Sequence, residues 1–359
     1  MSDHTLLDDY VVADKTIARS SIRLATEADA EVWNKFVKLH PHGTIFHLWN
    51  WQNIIQSVHK HKAYFLLAEN DQGVTGILPL FHNKTILFGN SLVSSAFCPY
   101  GGPLSNSPEI ELLLIQFAED LRKDLSANNL EFRLLHSTKN EVPTQQIYVT
   151  FRKAICSDHE TNMNQIPRKQ RAMVRKGIAN ELVARLGSVD EFFELYLDNI
   201  HRHGTPGSPL AFFQAIEASF KDDCEILLVQ RADGKVLSGV LSLYYKDEVL
   251  PFYAGDMLES RVLAANDFKY WAVMQRAANR GAKIFDFGRS KKGTGPYSFK
   301  KNWGFEAVQL HYQYYGLNGK AIPENNPLNP KFQLLIACWR RMPKSLVRLL
   351  GPKVVRGLG

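Results

Sequence analysis

Residues 284–306 read Ile-Phe-Asp-Phe-Gly-Arg-Ser-Lys-Lys-Gly-Thr-Gly-Pro-Tyr-Ser-Phe-Lys-Lys-Asn-Trp-Gly-Phe-Glu, and they concentrate more reactive side chains than any other stretch of the chain. An apolar strand is expected to end at Asp286 and Gly288. A cationic, glycine-rich turn follows, then a short segment carrying Phe299, Lys300 and Lys301. An acid at a strand end can position or deprotonate an amine. A nearby lysine can stabilise an oxyanion or protonate a departing oxygen. Together these are the requirements of acyl transfer to an amine, with Lys300, Asp286 and Arg289 as the candidate catalytic groups. Each has a plainer alternative: Asp286 could simply anchor Arg289, and Lys300 and Lys301 could be solvated helix cations. Tyr297, in the Gly-Pro-Tyr turn, could hydrogen-bond a substrate or pack. Asp256 closes the neighbouring strand Phe252-Tyr253-Ala254-Gly255-Asp256 and is expected to face the same cleft. Tyr100, beside Gly101-Gly102, is expected to line the junction between two halves.

A second constellation lies at 166–177, where Pro167 suits the first turn of a helix. Arg168, Arg171 and Arg175 fall at i, i+3, i+7 and share a face, flanked by Lys169 and Lys176. Five cations without an acid favour a bound anion over a merely solvated surface. A surface helix packed through Ala172, Met173 and Val174 would read similarly. The His201-x-His203 pair has no third ligand at a recognisable spacing, so no metal site is expected. There is no Gly-x-Ser-x-Gly elbow, His-Glu-x-x-His helix or Walker loop.

The elements that must position these groups are written twice. Gly76-Ile77-Leu78-Pro79-Leu80-Phe81-His82 matches Gly239-Val240-Leu241-Ser242-Leu243-Tyr244-Tyr245, and His42-Gly43-Thr44 matches His203-Gly204-Thr205 in the same order. Each half starts with helical segments (29–39 and 190–200), then a hairpin (63–69 with 74–81, and 225–230 with 236–245). A further strand follows, then a long helix (108–128 and 267–280) that feeds another strand (130–135 and 283–287). This order predicts an α/β fold of mixed, mostly antiparallel sheets flanked by helices, with a cleft at the strand ends. The expected domains are 20–155, 156–318 with the active site, and a basic tail over 325–359. The first half ends its strand at Leu134-Leu135-His136 without an acid or lysine, so one site is expected.

The net charge of +7 is localised. From 325 to 359 there are seven cations (Lys331, Arg340, Arg341, Lys344, Arg348, Lys353 and Arg356) and no acid, which leaves the rest of the chain balanced. Leu334, Leu335, Ile336, Trp339, Met342, Leu346, Val347 and Leu350 alternate with those cations. Pro343 divides the segment into two short helices. Such a segment suits either the surface of an anionic membrane or docking on the second domain. No apolar run approaches the roughly 18 residues of a membrane span. The N-terminal decapeptide is acidic and unlike a signal peptide, and the four scattered cysteines form no Cys-x-x-Cys pair. A reduced, cytoplasmic, monomeric protein is expected, with possible peripheral contact at the inner membrane.

Over roughly residues 20–345 the chain resembles the Fem family of peptide-bond-forming transferases, in particular the FemAB-related proteins of exopolysaccharide and PEP-CTERM/exosortase loci. Three stretches carry the resemblance: 166–177, 286–305, and Trp339-Arg340-Arg341-Met342-Pro343 with Leu349-Leu350-Gly351-Pro352. It implies tandem acetyltransferase-like (GNAT-like) folds. It also implies a role for Lys300, in the family's Phe-Lys pair, in transfer, and contact between the 166–177 segment and the phosphates of a nucleotide-linked acceptor. Ordinary acetyltransferases often place a tyrosine acid four residues before a Gly-Phe pair; counting back from Gly304 lands on Lys300. They also carry a glycine-rich pyrophosphate loop before the main helix, whereas 258–266 holds no glycine. The resemblance therefore implies an aminoacyl- or acyltransferase of envelope or exopolysaccharide synthesis, with aminoacyl-tRNA or acyl-CoA as donor and a phosphate-bearing or glycan-linked acceptor. An acyl-CoA-dependent N-acetyltransferase and a non-catalytic Fem-like scaffold are the alternatives.

Overall fold

A computed structural model describes residues 10–11, 20–85, 89–137, 142–322 and 330–358. The N-terminal decapeptide, apart from Tyr10, and the first five tail residues lie outside this description. The chain forms two compact units. One runs to Gln145 and adds His311–Ile322; the other runs from Gln146 to Leu310 and adds the C-terminal helices. No helix among the described residues is long and apolar enough to cross a membrane.

In the first unit the hairpin Lys62–Asn70 and Gly73–Thr85 is the centre of a mixed, mostly antiparallel sheet. Helix Pro108–Asp124 starts at a Ser107 cap with Pro108 in its first turn. It packs Ile110, Leu114, Ala118 and Leu121 against Leu66, Leu78 and Leu80 of the sheet. It then returns the chain to Asn129–Leu134, which pairs parallel with Gly89–Ser94.

The second unit repeats the plan. Its sheet runs Val183–Leu186, Cys224–Gln230, Val236–Tyr245, Glu248–Asp256, Ile284–Asp286, Tyr148–Ala154, Ser290–Lys291, with Glu306–Gln309 also on Tyr148–Ala154. Helix Ala265–Asn279 lies between Glu248–Asp256 and Ile284–Asp286, again the parallel pair. Its Trp271, Met274, Ala277 and Ala278 join Val240, Val249, Phe285 and Phe287 in one buried cluster.

The expected boundary between halves is displaced by strand exchange. Tyr148–Ala154 pairs with both Ile284–Asp286 and Glu306–Gln309, so it belongs to the second sheet. His311–Tyr315 pairs with Asn129–Leu134 in the first sheet. The tail is part of the second unit: helices Pro330–Arg341 and Lys344–Val355, separated at Pro343, contact helix Val189–His203 through buried Trp339 and Val347.

Helix Arg168–Ala179 buries Gln170, Val174 and Gly177; of the residues in the alternative packing reading, Val174 is buried and Ala172 is exposed. Gly177 sets the approach to helix Ala265–Asn279, since a Cβ there would stand 2.7 Å from Phe268 Cβ and 3.2 Å from the Ala264 carbonyl oxygen. Gly177→Val should therefore cost about 1–3 kcal/mol through overpacking, measured as a lower urea midpoint. An unchanged midpoint would show that the two helices can separate freely.

Candidate active site

The site begins where two strands part. Glu248–Asp256 and Ile284–Asp286 pair only at Glu248 with Ile284 and Val249 with Phe285. Just beyond, Pro251 lacks a backbone donor, and the ladder to Val236–Tyr245 shifts register after Leu241. Among the described residues, no pairing between the two strands continues past Val249 and Phe285, and the carboxyl end of each strand carries an acid, Asp256 on one and Asp286 on the other.

Asp286 is fully buried. It accepts from Thr150 Oγ1, from Arg152 at 2.9 Å and from the Gly288 amide at 2.7 Å. Arg152 also pairs with Glu248, whose pKa burial nevertheless holds above the usual carboxylate range. Asp286 thus pairs with Arg152 across the sheet, through a carboxylate that is buried and multiply bonded. The ion pair with Arg152 is not part of the sequence reading of this residue. The cause is strand Tyr148–Ala154, which lies directly beside it. Arg289 is exposed, its guanidinium 5.0 Å from the centre of the Tyr148 ring.

Lys300 rides on helix Gly295–Asn302, which Thr294 caps and Pro296 opens. Gly288 adopts a left-handed conformation (φ +70°) and turns the chain after the strand. Lys300 Nζ donates to the Gly288 carbonyl at 2.8 Å and to the Arg289 carbonyl at 3.2 Å. An ammonium has three donors, so this geometry leaves one to point elsewhere. Burial lowers its pKa to about 8; Asp286 opposes that shift and Arg289 adds to it. Lys300 is therefore a cation at neutral pH, close to its titration point and fixed at the strand end. Lys301 is exposed. Tyr297 is half-buried and edge-on to Phe151 at 5.3 Å, so its ring packs on the core.

The cationic helix is clamped to this corner. Gln170 and Trp303 both donate to Asp267, at 2.9 and 3.0 Å. Pro167 sits so close to Gly304 that a Cβ on Gly304 would approach its ring to 2.9 Å. Trp303 and Gly304 thus join the end of the Lys300 helix to the start of the arginine helix. Arg168, Lys169, Arg175 and Lys176 are exposed, and Arg171 donates to Asn164 at 2.8 Å.

Two expected site residues are placed differently. Asp256 accepts from Ser238 and, at 2.8 Å, from Lys269, which is completely buried. Its carboxylate is committed to an internal ion pair. Tyr100 lies in the core of the first unit, edge-on to Phe46 at 5.8 Å, because apolar packing encloses it. Lys269, Arg152, Asp267 and Gln170 escaped the sequence reading. Only Lys269 left a visible sign, a cation among the apolar positions of a helix.

With this geometry the chain can be compared with known proteins. Residues 161–301 match the model for the acetyltransferase (GNAT) domain. Over 135 residues the chain is 29% identical to a UDP-N-acetylmuramoylpentapeptide-lysine N(6)-alanyltransferase of Weissella viridescens. That match covers 36% of this chain and 40% of the relative's length. The crystal structure of FemX superposes with a TM-score of 0.64 at 15% identity, covering 88% of this chain and 99% of that one. A tandem GNAT protein from the clavulanic acid biosynthesis pathway superposes at 0.52 and 10% identity, over 82% and 97% of the two chains. The fold is a Fem-like tandem GNAT fold.

The residues that match the GNAT-domain model, 161–301, lie within the second unit. Members of this fold that use coenzyme A hold its pyrophosphate at the amino end of the helix that here is Ala265–Asn279. In this chain the turn before it is Leu258–Arg261 and carries no glycine. Ala264 takes the left-handed conformation (φ +57°), and the first helical turn contains the buried carboxylate of Asp267. An acid at that end, already bonded by Gln170 and Trp303, occupies the place on the helix end where phosphate would bind. These residues do not fit the pyrophosphate of coenzyme A.

Proposed function

We propose that this GNAT-type protein is an aminoacyltransferase that forms an amide on an amine of a phosphate-bearing envelope-glycan precursor, using aminoacyl-tRNA as donor. The supporting observation is the pairing of a fixed lysine at the strand end with a clamped arginine helix, where the pyrophosphate cradle is replaced by a buried acid. The amine nitrogen attacks the aminoacyl ester carbonyl. A C–N bond forms, the ester C–O bond breaks, the amine loses a proton to solvent and the departing ribose oxygen gains one. Lys300, through its remaining donor, stabilises the oxyanion or supplies the proton to that oxygen. Arg168, Arg171 and Arg175, with Lys169 and Lys176, hold acceptor phosphates by charge-assisted hydrogen bonds. Arg289 and Lys301 add positive charge at the mouth.

The Weissella relative is named for alanyl transfer to a muramoylpentapeptide lysine, which supports an acceptor of that chemical class. The resemblance to PEP-CTERM/exosortase proteins favours an exopolysaccharide precursor within it, acted on in the cytoplasm. Incubation with charged tRNA and a panel of amine-bearing UDP-linked muramoyl peptides and polysaccharide precursors should give a product heavier by one aminoacyl residue. Product formed from acetyl-CoA alone would overturn the reading.

The lowered pKa of Lys300 gives this reading a pH signature. Because the ammonium is the working form, transfer should fall as pH rises through about 8. The check is a single-turnover rate profile measured within the stability limits of the ester. A rate that climbs through the same range would make Lys300 a base instead.

A further inference from the structure

Three elements of the second unit present large apolar side chains to solvent among cations. In the turn after Asp256, Leu258 is 64% and Val262 72% exposed, on either side of exposed Arg261. On helix Pro330–Arg341, Leu335 is 63% exposed, and on helix Lys344–Val355, Leu349 is 62% exposed. The turn and helix Pro330–Arg341 meet at the end of helix Val189–His203, where Arg261 and Arg340 both act on His203, while helix Lys344–Val355 runs back along that helix, Lys344 on Asp198 and Arg348 on Glu194. Arg340 reaches the His203 carbonyl at 3.4 Å, and Ile336 packs on Gly204. Burial and the nearby charges of Arg202, Arg261 and Arg340 all depress the His203 pKa.

The charge around this face is not cancelled internally. Lys344 and Arg348 pair with Asp198 and Glu194, and Glu259 pairs with Lys235. Arg261, Arg341 and Lys353 have no acidic partner among the described residues, and the sequence supplies no acid after residue 325. Buried Trp339, Val347 and Gly351 already serve as the docking side of the two helices, so their exposed leucines are not needed to hold the unit together.

We propose that this face, formed by Leu258, Val262 and Leu335 with Arg261, Arg340 and Arg341, rests on an anionic phospholipid bilayer. Leucine and valine insert at the acyl boundary while the arginines meet lipid phosphates. The strand end carrying Asp256 then lies next to the bilayer. This inference stands independently of the transfer chemistry.

Co-sedimentation of the full chain with vesicles tests it. Partition should be about tenfold stronger onto phosphatidylcholine mixed with phosphatidylglycerol than onto phosphatidylcholine alone, and should weaken as salt is raised. Val262→Glu with Leu258→Glu, and separately Arg340→Gln with Arg341→Gln, should each reduce partition about tenfold with unchanged thermal midpoints. No preference for anionic vesicles, or full binding by both variants, would overturn the proposal. So would light scattering that shows a dimer split by Val262→Glu, or tRNA binding that the arginine variant abolishes while vesicle binding persists.

Discussion

Lys300→Met is expected to lower the rate of aminoacyl transfer about 10²–10³-fold, the usual consequence of removing a fixed donor to a developing oxyanion. Methionine keeps the length and packing of the lysine stem but removes the ammonium that bonds Gly288 and Arg289. Folding should survive. Burial pushes the folded-state pKa of Lys300 to about 8, below its ordinary 10.5, so its charge costs stability below about pH 8. That cost is relieved as pH rises from there towards 10.5. The methionine variant should accordingly melt no lower than the parent at neutral pH. Full retained transfer would remove Lys300 from the chemistry, whereas lost transfer with a collapsed melting curve would make it a structural lysine.

Arg152→Met should have the largest effect on stability, about 3–5 kcal/mol, because it removes the guanidinium paired with two acids, one of them fully buried. Asp286 is completely enclosed and Glu248 partly so, and Arg152 pairs with both. A second change, Asp286→Asn in the Arg152→Met background, should recover part of the loss by removing one stranded charge. Urea unfolding measures both. A midpoint close to the parent's for Arg152→Met would mean that water enters the site readily and that the strand end is less enclosed than the geometry describes.

Local patterns in the sequence located the second-unit hairpin to within one residue at each end: 225–230 with 236–245 against Cys224–Gln230 with Val236–Tyr245. They also located the long helix, 267–280 against Ala265–Asn279, and the break at Pro343. These features depend on periodicity, turn residues and proline, which act within a few neighbours. The strand exchange was not legible, because His311–Tyr315 reads as a strand without naming its partner. The polar interior was hidden for a related reason. Asp286 finds Arg152 across 134 positions, and Gln170 finds Asp267 across 97. An acid at a strand end could therefore be read as poised for an amine or as an anchor for Arg289, while its ion pair with Arg152 stayed out of view. The approach of Lys300 to the same strand end was closer to the surface of the sequence, since the spacing from Gly304 already singled it out.

The most direct test of the central claim is donor choice, measured by calorimetric titration of the purified chain with acetyl-CoA and with a non-hydrolysable aminoacyl-tRNA. The buried Asp267 at the amino end of helix Ala265–Asn279 and the glycine-free turn before it predict saturable binding of the tRNA and none of acetyl-CoA. Saturable acetyl-CoA binding in the absence of any tRNA binding would contradict the account.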